Sequence, residues 1–429
     1  MRFFGDRPPP GPFRPEFWRS PLRGPWLTSL LGSILLVSLV IVAATGFLSH
    51  AAYMPQLGAN AIVPRDGSLD FLIPDWQTGP AWLYALNQGL HVTVGIGAIA
   101  LLLAKLWSVL PRLFTWPPVR SPAQALERLA LLLLVGGALF EFATGIFNVQ
   151  IYYPFRFNFV VAHFYGAWVF LAALALHVAV KAPVIRRSYR ARRGLAPLRQ
   201  ALEATRPEPR APRGDSLAPA APTAPTLSRR GLLGLVGAGT AALVVSVAGQ
   251  AIGGPLRATA FLAPRRDDAG DGPNDFQVNK TADSARVTAE MTGPSWRLTV
   301  AGRRRLELDR RALLALPQHT AALPIACVEG WSTTQEWTGV RLADLARLAA
   351  AAPEDTLLVE SLQPRGVLRR ATLSAGQVAD PDSLLALRVN GVDLSLDHGF
   401  PARIIVPALP GVHNTKWVAS LSFGAAADA

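Results

Sequence analysis

The chain has 429 residues, half of them hydrophobic, and a formal charge of +13. That length allows two or three domains. The arginines gather in short segments between apolar runs instead of forming one basic face, a pattern that orients a membrane protein and argues against nucleic-acid binding.

Residues 1–25 carry Arg2, Arg7, Arg14, Arg19 and Arg23 among prolines and read as a cytoplasmic tail. Four apolar runs of bilayer-spanning length follow, at about 26–49, 81–107, 125–147 and 159–182. The first is too long for the core of a cleaved signal peptide and reads as an anchor. Lys105, Arg112 and Arg120 follow the second run, and Lys181, Arg186, Arg187, Arg190, Arg192 and Arg193 close the fourth. The loops 50–80 and 148–158 contain only Arg65 and Arg156. The positive-inside rule then predicts a multi-pass protein of the cell inner membrane, in contact with lipid, with its N-terminus cytoplasmic and those two loops outside.

Residues 184–227, rich in Arg, Ala and Pro, are expected to be a flexible cytoplasmic linker. A fifth span is predicted over 228–253. Its opening, Ser228-Arg229-Arg230-Gly231-Leu232-Leu233, resembles the twin-arginine export signal, placed internally; the alternative is two more orientation arginines. Both readings put the following residues outside, as an exported linker over 254–273 and an exported domain over 274–429. In that domain Trp296–Val300 reads as a strand and Val340–Ala350 as a helix with Leu342, Leu345 and Leu348 on one face. Leu357–Glu360, Leu385–Val389, Ala402–Val406 and Trp417–Leu421 read as further strands, which gives an α+β domain.

Four of the seven histidines, His50, His91, His163 and His177, lie in the membrane half, where polar side chains mark function. His163 and His177 are fourteen residues apart and so share a helix face, about 21 Å apart along the axis. One helix then offers an imidazole near each side of the membrane, which suits a bundle holding two haems. Gly46, Gly95 and Gly166 stand three or four residues from these histidines, offsets that clear room for a planar ring or simply help helices pack. Residues 26–183 resemble the membrane cytochrome b subunits of the formate dehydrogenase and nickel hydrogenase type, although there the first-span histidine lies early in the span. The resemblance implies a four-helix cytochrome b bundle with haem b, His50 pairing with His163 and His91 with His177. A single haem between His91 and His163 is the alternative. Glu141, in the third span, is read as a proton carrier at a quinone site, a haem partner, or a group bonded to a neighbouring helix.

Cys327 is the only cysteine, so no internal disulfide forms; it is either a buried small hydrophobe or a reactive group or metal ligand. It stands in Cys327-Val328-Glu329-Gly330-Trp331. Around it in sequence are Asn274-Asp275-Phe276-Gln277-Val278, Asp397-His398-Gly399-Phe400-Pro401-Ala402-Arg403, and His413-Asn414-Thr415-Lys416-Trp417. In this order the clusters resemble the sulfite oxidase family of molybdenum enzymes, in its bacterial sulfoxide reductase branch. The resemblance implies a molybdopterin-binding oxidoreductase domain with Cys327 as thiolate on molybdenum, a soft ligand on a soft metal. It carries over Asn274, Gln277, Val278, Ser361, His398, Arg403, Asn414, Thr415 and Lys416 as cofactor-binding, the two cations neutralising the pterin phosphate. Ser361 stands where the reductase branch has Thr, and His398 where sulfite oxidases also have His.

Sulfite oxidases place Asn-Arg shortly after the cysteine, and here Glu329 stands nearby, a carboxylate expected to disfavour an anion or to shuttle protons. No dimerising β-sandwich is expected after Trp417. The function expected is exchange of electrons between membrane quinone and molybdenum through haems, coupled to oxygen-atom transfer at a small S- or N-oxide or sulfur compound. Two other readings are a non-catalytic redox sensor or assembly protein and a haem-free anchor.

Overall fold

The computed structural model describes residues 7–53, 76–119, 121–210, 217–265 and 270–424; Arg2, Arg65 and Arg120 lie outside these. The chain divides into two compact units, one of residues 1–43, 93–148 and 152–245, the other of 44–92, 149–151 and 246–429.

Among the described residues five helices are long and apolar enough to cross a membrane. They are α1 (Pro25–Ala52), α2 (Leu83–Leu113), α3 (Pro122–Val149), α4 (Phe159–Ala191) and α5 (Arg229–Ile252). Each corresponds to a predicted apolar run, α2 starting about two residues later and α5 lying one residue inside its run at each end. Helix α4 outlasts its run by a basic segment, because Arg, Tyr and Ser after Pro183 still favour helix although they cannot enter lipid. Within the first unit Leu35, Leu39, Leu101, Leu102, Ala138 and Phe170 pack together. Val37, Leu132 and Leu235 are more than half exposed, so these helices are apolar on their outer faces too, as lipid requires.

The Arg-Ala-Pro segment is more tied down than its composition implies. Glu208 accepts hydrogen bonds from the Trp26 backbone N–H at 3.0 and 3.2 Å, which satisfies an orphan donor at the start of α1. Arg229, the first of the adjacent arginines at the start of α5, is buried and donates to Gln200 Oε1 and the Arg206 carbonyl at 3.2 and 2.7 Å.

The second unit holds the strand-bearing domain. Its elements begin with α6 (Ala282–Ala285), β1 (Leu298–Ala301), β2 (Arg305–Leu308), α7 (Arg310–Ala315), β3 (His319–Ala326) and β4 (Ser332–Arg341). After these come α8 (Leu342–Leu348), β5 (Leu357–Ser361), β6 (Arg370–Leu373), α9 (Ala375–Ala379), β7 (Leu384–Val389), β8 (Val392–Asp393), β9 (Arg403–Ile405) and β10 (Val418–Phe423). One sheet has the order β2-β1-β10-β5-β6, parallel only between β1 and β10; the other runs β3-β4-β7-β8, with β9 also on β7. Leu298, Val300, Val340, Leu345, Val359, Leu385, Ile404 and Leu421 form the main core. The predicted strands and helix correspond to β1, α8, β5, β7, β9 and β10. The long hairpin of β3 and β4 is additional, and Cys327 stands in its turn.

Leu298 is fully buried in this core. Truncation to Ala removes its contacts and leaves a cavity, so Leu298→Ala is expected to cost about 2–5 kcal/mol, read as a lowered midpoint in thermal unfolding of the detergent-solubilised chain.

Candidate functional site

The turn that carries Cys327 is closed by Cys327 N–H donating to the Trp331 carbonyl and Gly330 N–H to the Cys327 carbonyl, both at 3.0 Å. Gly330 has φ +95° and faces Val92, so a side chain there would be strained and obstructed. Gly411 N–H donates to the Ala326 carbonyl at 2.7 Å, which brings the Gly411–Lys416 segment against the end of β3. Cys327 is buried with Phe276, Ile325, Trp331, Trp337, Leu394 and Ile405. Burial and the Glu329 charge push its thiol well above the usual range, while the Val328 and Glu329 backbone N–H groups and Arg265 act the other way.

Those Val328, Gly330 and Ser332 positions also meet the ends of the apolar helices. Gln88 of α2 accepts from Ser49 of α1 at 2.6 Å and donates to the Val328 carbonyl at 2.6 Å. Ser332 donates to the Ala251 carbonyl of α5 at 2.7 Å.

Arg403, at the start of β9, is 1% exposed and lies over the Trp337 ring, 5.1 Å from its centroid. It donates to the carbonyls of His398 and Asn414 at 3.0 and 3.2 Å. Asn414 Oδ1 accepts from Val406 N–H at 2.9 Å. Lys416 Nζ donates to the Lys280 and Asp397 carbonyls at 2.8 and 2.7 Å, and Ser361 Oγ to the Lys416 carbonyl at 2.8 Å. His398 stacks on Phe276 at 3.7 Å and donates through Nε2 to the Asn274 carbonyl at 2.8 Å. Burial, with Arg403 and Lys416 nearby, lowers that imidazole to about 3 and keeps it neutral. Asn274 also bridges Ser395 N–H and the Asp393 carbonyl. Gln277, in the amide orientation that satisfies both groups, accepts from Arg257 at 3.1–3.2 Å. Thr415 is buried beside Asn414, and Val278 is half-buried. Hydrogen bonds thus link Asn274, Ser361, His398, Arg403, Asn414 and Lys416 to one another or to shared loops.

These groups fit an anionic pterin cofactor. Arg403 and Lys416 are both buried and, among the described residues, neither forms an ion pair. Burial pulls Arg403 down to about 9 and, with Arg403, lowers Lys416 well below its ordinary value, so bound negative charge would relieve both. Arg403 Nε and Asn414 Nδ2 are buried donors without a partner among the described residues.

Glu329, expected from the sequence to disfavour an anion or to shuttle protons, is held by an arginine and an indole. It accepts from Arg265 Nε and Nη2 at 2.7 and 3.3 Å and from Trp331 Nε1 at 2.9 Å. Arg265, Arg257, Gln88 and His413 were not singled out from the sequence. A polar Gln inside an apolar run was a usable signal; the arginines, in a linker of ordinary composition, gave none.

The membrane histidines fall in different units, His50 and His91 in one, His163 and His177 in the other. His91 Nδ1 is 3.2 Å from Thr45 Oγ1, and Gly46 lies beside the His91 ring. His163 Nδ1 is 2.9 Å from Thr144 Oγ1 and 3.2 Å from Glu141 Oε2, with Gly145 facing the ring. Glu141 therefore has an imidazole partner instead of a helix carbonyl, and Gly166 makes room for Glu141. Among the described residues no neighbouring element crowds Gly95.

His413 is fully buried against the Tyr53 ring, and burial lowers it to about 4. Its folded value lies below the unfolded one, so the unfolded chain takes up the proton first as pH falls. Stability is expected to drop between about pH 6.5 and 4 by about 3 kcal/mol from this group. His413→Leu should flatten that part of the curve of unfolding midpoint against pH.

Residues 285–428 match the oxidoreductase molybdopterin binding domain family. Mitochondrial sulfite oxidase of Drosophila melanogaster is 33% identical over 138 residues, covering 26% of this chain and 24% of the relative. The human mitochondrial enzyme is 31% identical over 141 residues, covering 30% and 24%. This chain therefore spans about a quarter of the length of these relatives. The crystal structure of the sulfane dehydrogenase SoxCD from Paracoccus pantotrophus aligns over 32% of this chain and 40% of its own at 26% identity, with a TM-score of 0.29. With the cysteine turn and the buried cations in the matched segment, residues 285–428 form a molybdopterin-binding oxidoreductase domain similar to part of the sulfite oxidases.

Proposed function

We propose that the chain is a membrane-bound molybdopterin-dependent oxidoreductase that reduces a small neutral S- or N-oxide with electrons drawn from membrane quinol through b haems. The observation that carries this reading is a pair of buried cations, Arg403 and Lys416, without ion pairs among the described residues, in the domain whose only cysteine occupies a tight turn.

In this reading Cys327 holds the metal. Arg403, Asn414, Thr415 and Lys416 hold the pterin and its phosphate from the β9–β10 side, and Ser361 fixes the Lys416 carbonyl. Asn274, Gln277, Val278 and neutral His398 border the ring system. Molybdenum, when bound, supplies two-electron oxygen-atom exchange. Burial among Phe276, Trp331 and Trp337 keeps water from the cysteine, and the Val328 and Glu329 backbone N–H groups favour its thiolate.

The haem part rests on His91 and His163, each held through Nδ1, an arrangement that directs Nε2 to a metal. We assign His50 and His177 as the further haem ligands. Glu141, 3.2 Å from His163, is assigned as a carrier of the proton that accompanies an electron to or from quinone. The strand-bearing domain is assigned to the periplasmic side, with Arg229-Arg230 as the export address and the N-terminus cytoplasmic.

Protein made with the cofactor pathway intact is expected to contain one molybdenum per chain and to show a b-type spectrum when reduced with dithionite. Dimethyl sulfoxide or trimethylamine N-oxide should reoxidise that spectrum. Cys327→Ser is expected to lower dye-linked oxide reduction at least about a hundredfold. Absence of molybdenum rejects the proposal, whereas a Cys327→Ser protein with its cellular role intact favours a non-catalytic sensor. Replacing His163 and His177 should abolish the haem spectrum; an unchanged spectrum means that the spans are an anchor only.

A further inference from the structure

Glu329 is the second residue after Cys327 and is 8% exposed. Its two oxygens receive Arg265 Nε and Nη2 at 2.7 and 3.3 Å, and Trp331 Nε1 adds a third donor at 2.9 Å. Arg265 is further fixed by donating to the Asn279 carbonyl at 3.1 Å. Both charges act on the Cys327 thiol, with opposite signs. The carboxylate alone would repel an anion from the cysteine, and the guanidinium alone, with its planar fork of donors, would capture one. Held together they cancel. Arg265 lies ahead of residues 285–428, so this cation comes from the stretch between α5 and the family domain.

We propose that the Arg265–Glu329 pair determines substrate charge at this site, excluding oxyanions and admitting neutral oxides, and that Arg265 is a latent oxyanion-binding group kept closed by Glu329. This deepens the functional reading above and rests on it for the place where substrate meets the cysteine. Glu329→Gln keeps the shape of the side chain and an acceptor for Trp331 or Arg265, yet raises the local charge by one unit. The site should then accept a tetrahedral dianion. A merely structural ion pair would instead lose stability on this change without gaining an anion.

The test uses the full-length, molybdenum-loaded protein in detergent, with sulfate as the probe and chloride at matched ionic strength as the control. Two readouts are taken: the sulfate dependence of the thermal unfolding midpoint, and the inhibition constant of sulfate against dye-linked dimethyl sulfoxide reduction. Wild type is expected to be indifferent to sulfate beyond the chloride control. Glu329→Gln should be stabilised by sulfate and bind it roughly tenfold or more tightly than wild type. The double variant Glu329→Gln/Arg265→Gln should return to wild-type indifference. No gain of sulfate binding in a folded Glu329→Gln protein overturns the proposal, and so does a gain that survives in the double variant. Should Glu329→Gln fail to fold, Glu329→Asp, which draws the carboxylate back, is expected to show a smaller gain, and no gain there also overturns it. A wild-type protein that reduces no oxide defeats the functional reading, while the unfolding measurement still decides whether the pair masks an anion site.

Discussion

The guanidinium of Arg403 is the constraint on which the candidate site depends. A cation 1% exposed survives only when hydrogen bonds replace the water it has lost, and here backbone carbonyls of two separate loops do so. Because those carbonyls belong to His398 and Asn414, satisfying one charge fixes the loop before β9 and the loop before β10 relative to each other. The Trp337 face beneath the guanidinium adds β4 to the same junction. Gly399 follows from this closeness: with φ +107°, it faces Lys416 and Arg403 where a side chain would meet their Cβ atoms at 3.1 Å.

The charges divide into two zones. Around Arg403 and Lys416 two cations face one nearby carboxylate, that of Asp397, whose Oδ1 accepts from the Ala282 N–H at 2.7 Å and which forms no ion pair with either cation among the described residues, so positive charge is in excess. Around Cys327 charge is balanced, by the Arg265–Glu329 contact. A site with surplus positive charge on one side and neutrality on the other is suited to an anionic tail and an uncharged reacting end. Neutral His398 between Phe276 and the two cations marks the boundary.

How much of this was legible in sequence varied with the range of the interaction. The five long helices follow from apolar runs, and β1, β5, β7, β9 and β10 from short β-branched and leucine-rich segments. The β3–β4 hairpin escaped because β3 is built on alanines and interrupted by Pro324, and β4 opens on Ser-Thr-Thr-Gln, so neither has a strong apolar alternation. The proposed cofactor-binding set comes only from family resemblance; no local pattern announces that Ser361 will meet the Lys416 carbonyl. Arg265 and Glu329 are separated by 64 positions, and nothing local in either segment foretells the contact. The glycine offsets show the same limit. Gly46 and Gly166 were read against histidines of their own helices, whereas Gly46 accommodates His91 and Gly166 accommodates Glu141.

The hydrogen bond from Gln88 to the Val328 carbonyl, together with that from Ser332 to Ala251, makes the helix ends part of the mechanical frame of the cysteine turn. In the proposed reading of α2 and α5 as spanning segments, tilt or depth changes of the kind that lipids of different chain length impose would bear on the backbone beside the thiol. A soluble fragment cut free after α5 would lose that frame and leave Val328 and Gly330 facing solvent. Under that reading, detergent chain length and bilayer thickness become variables for the geometry of this turn.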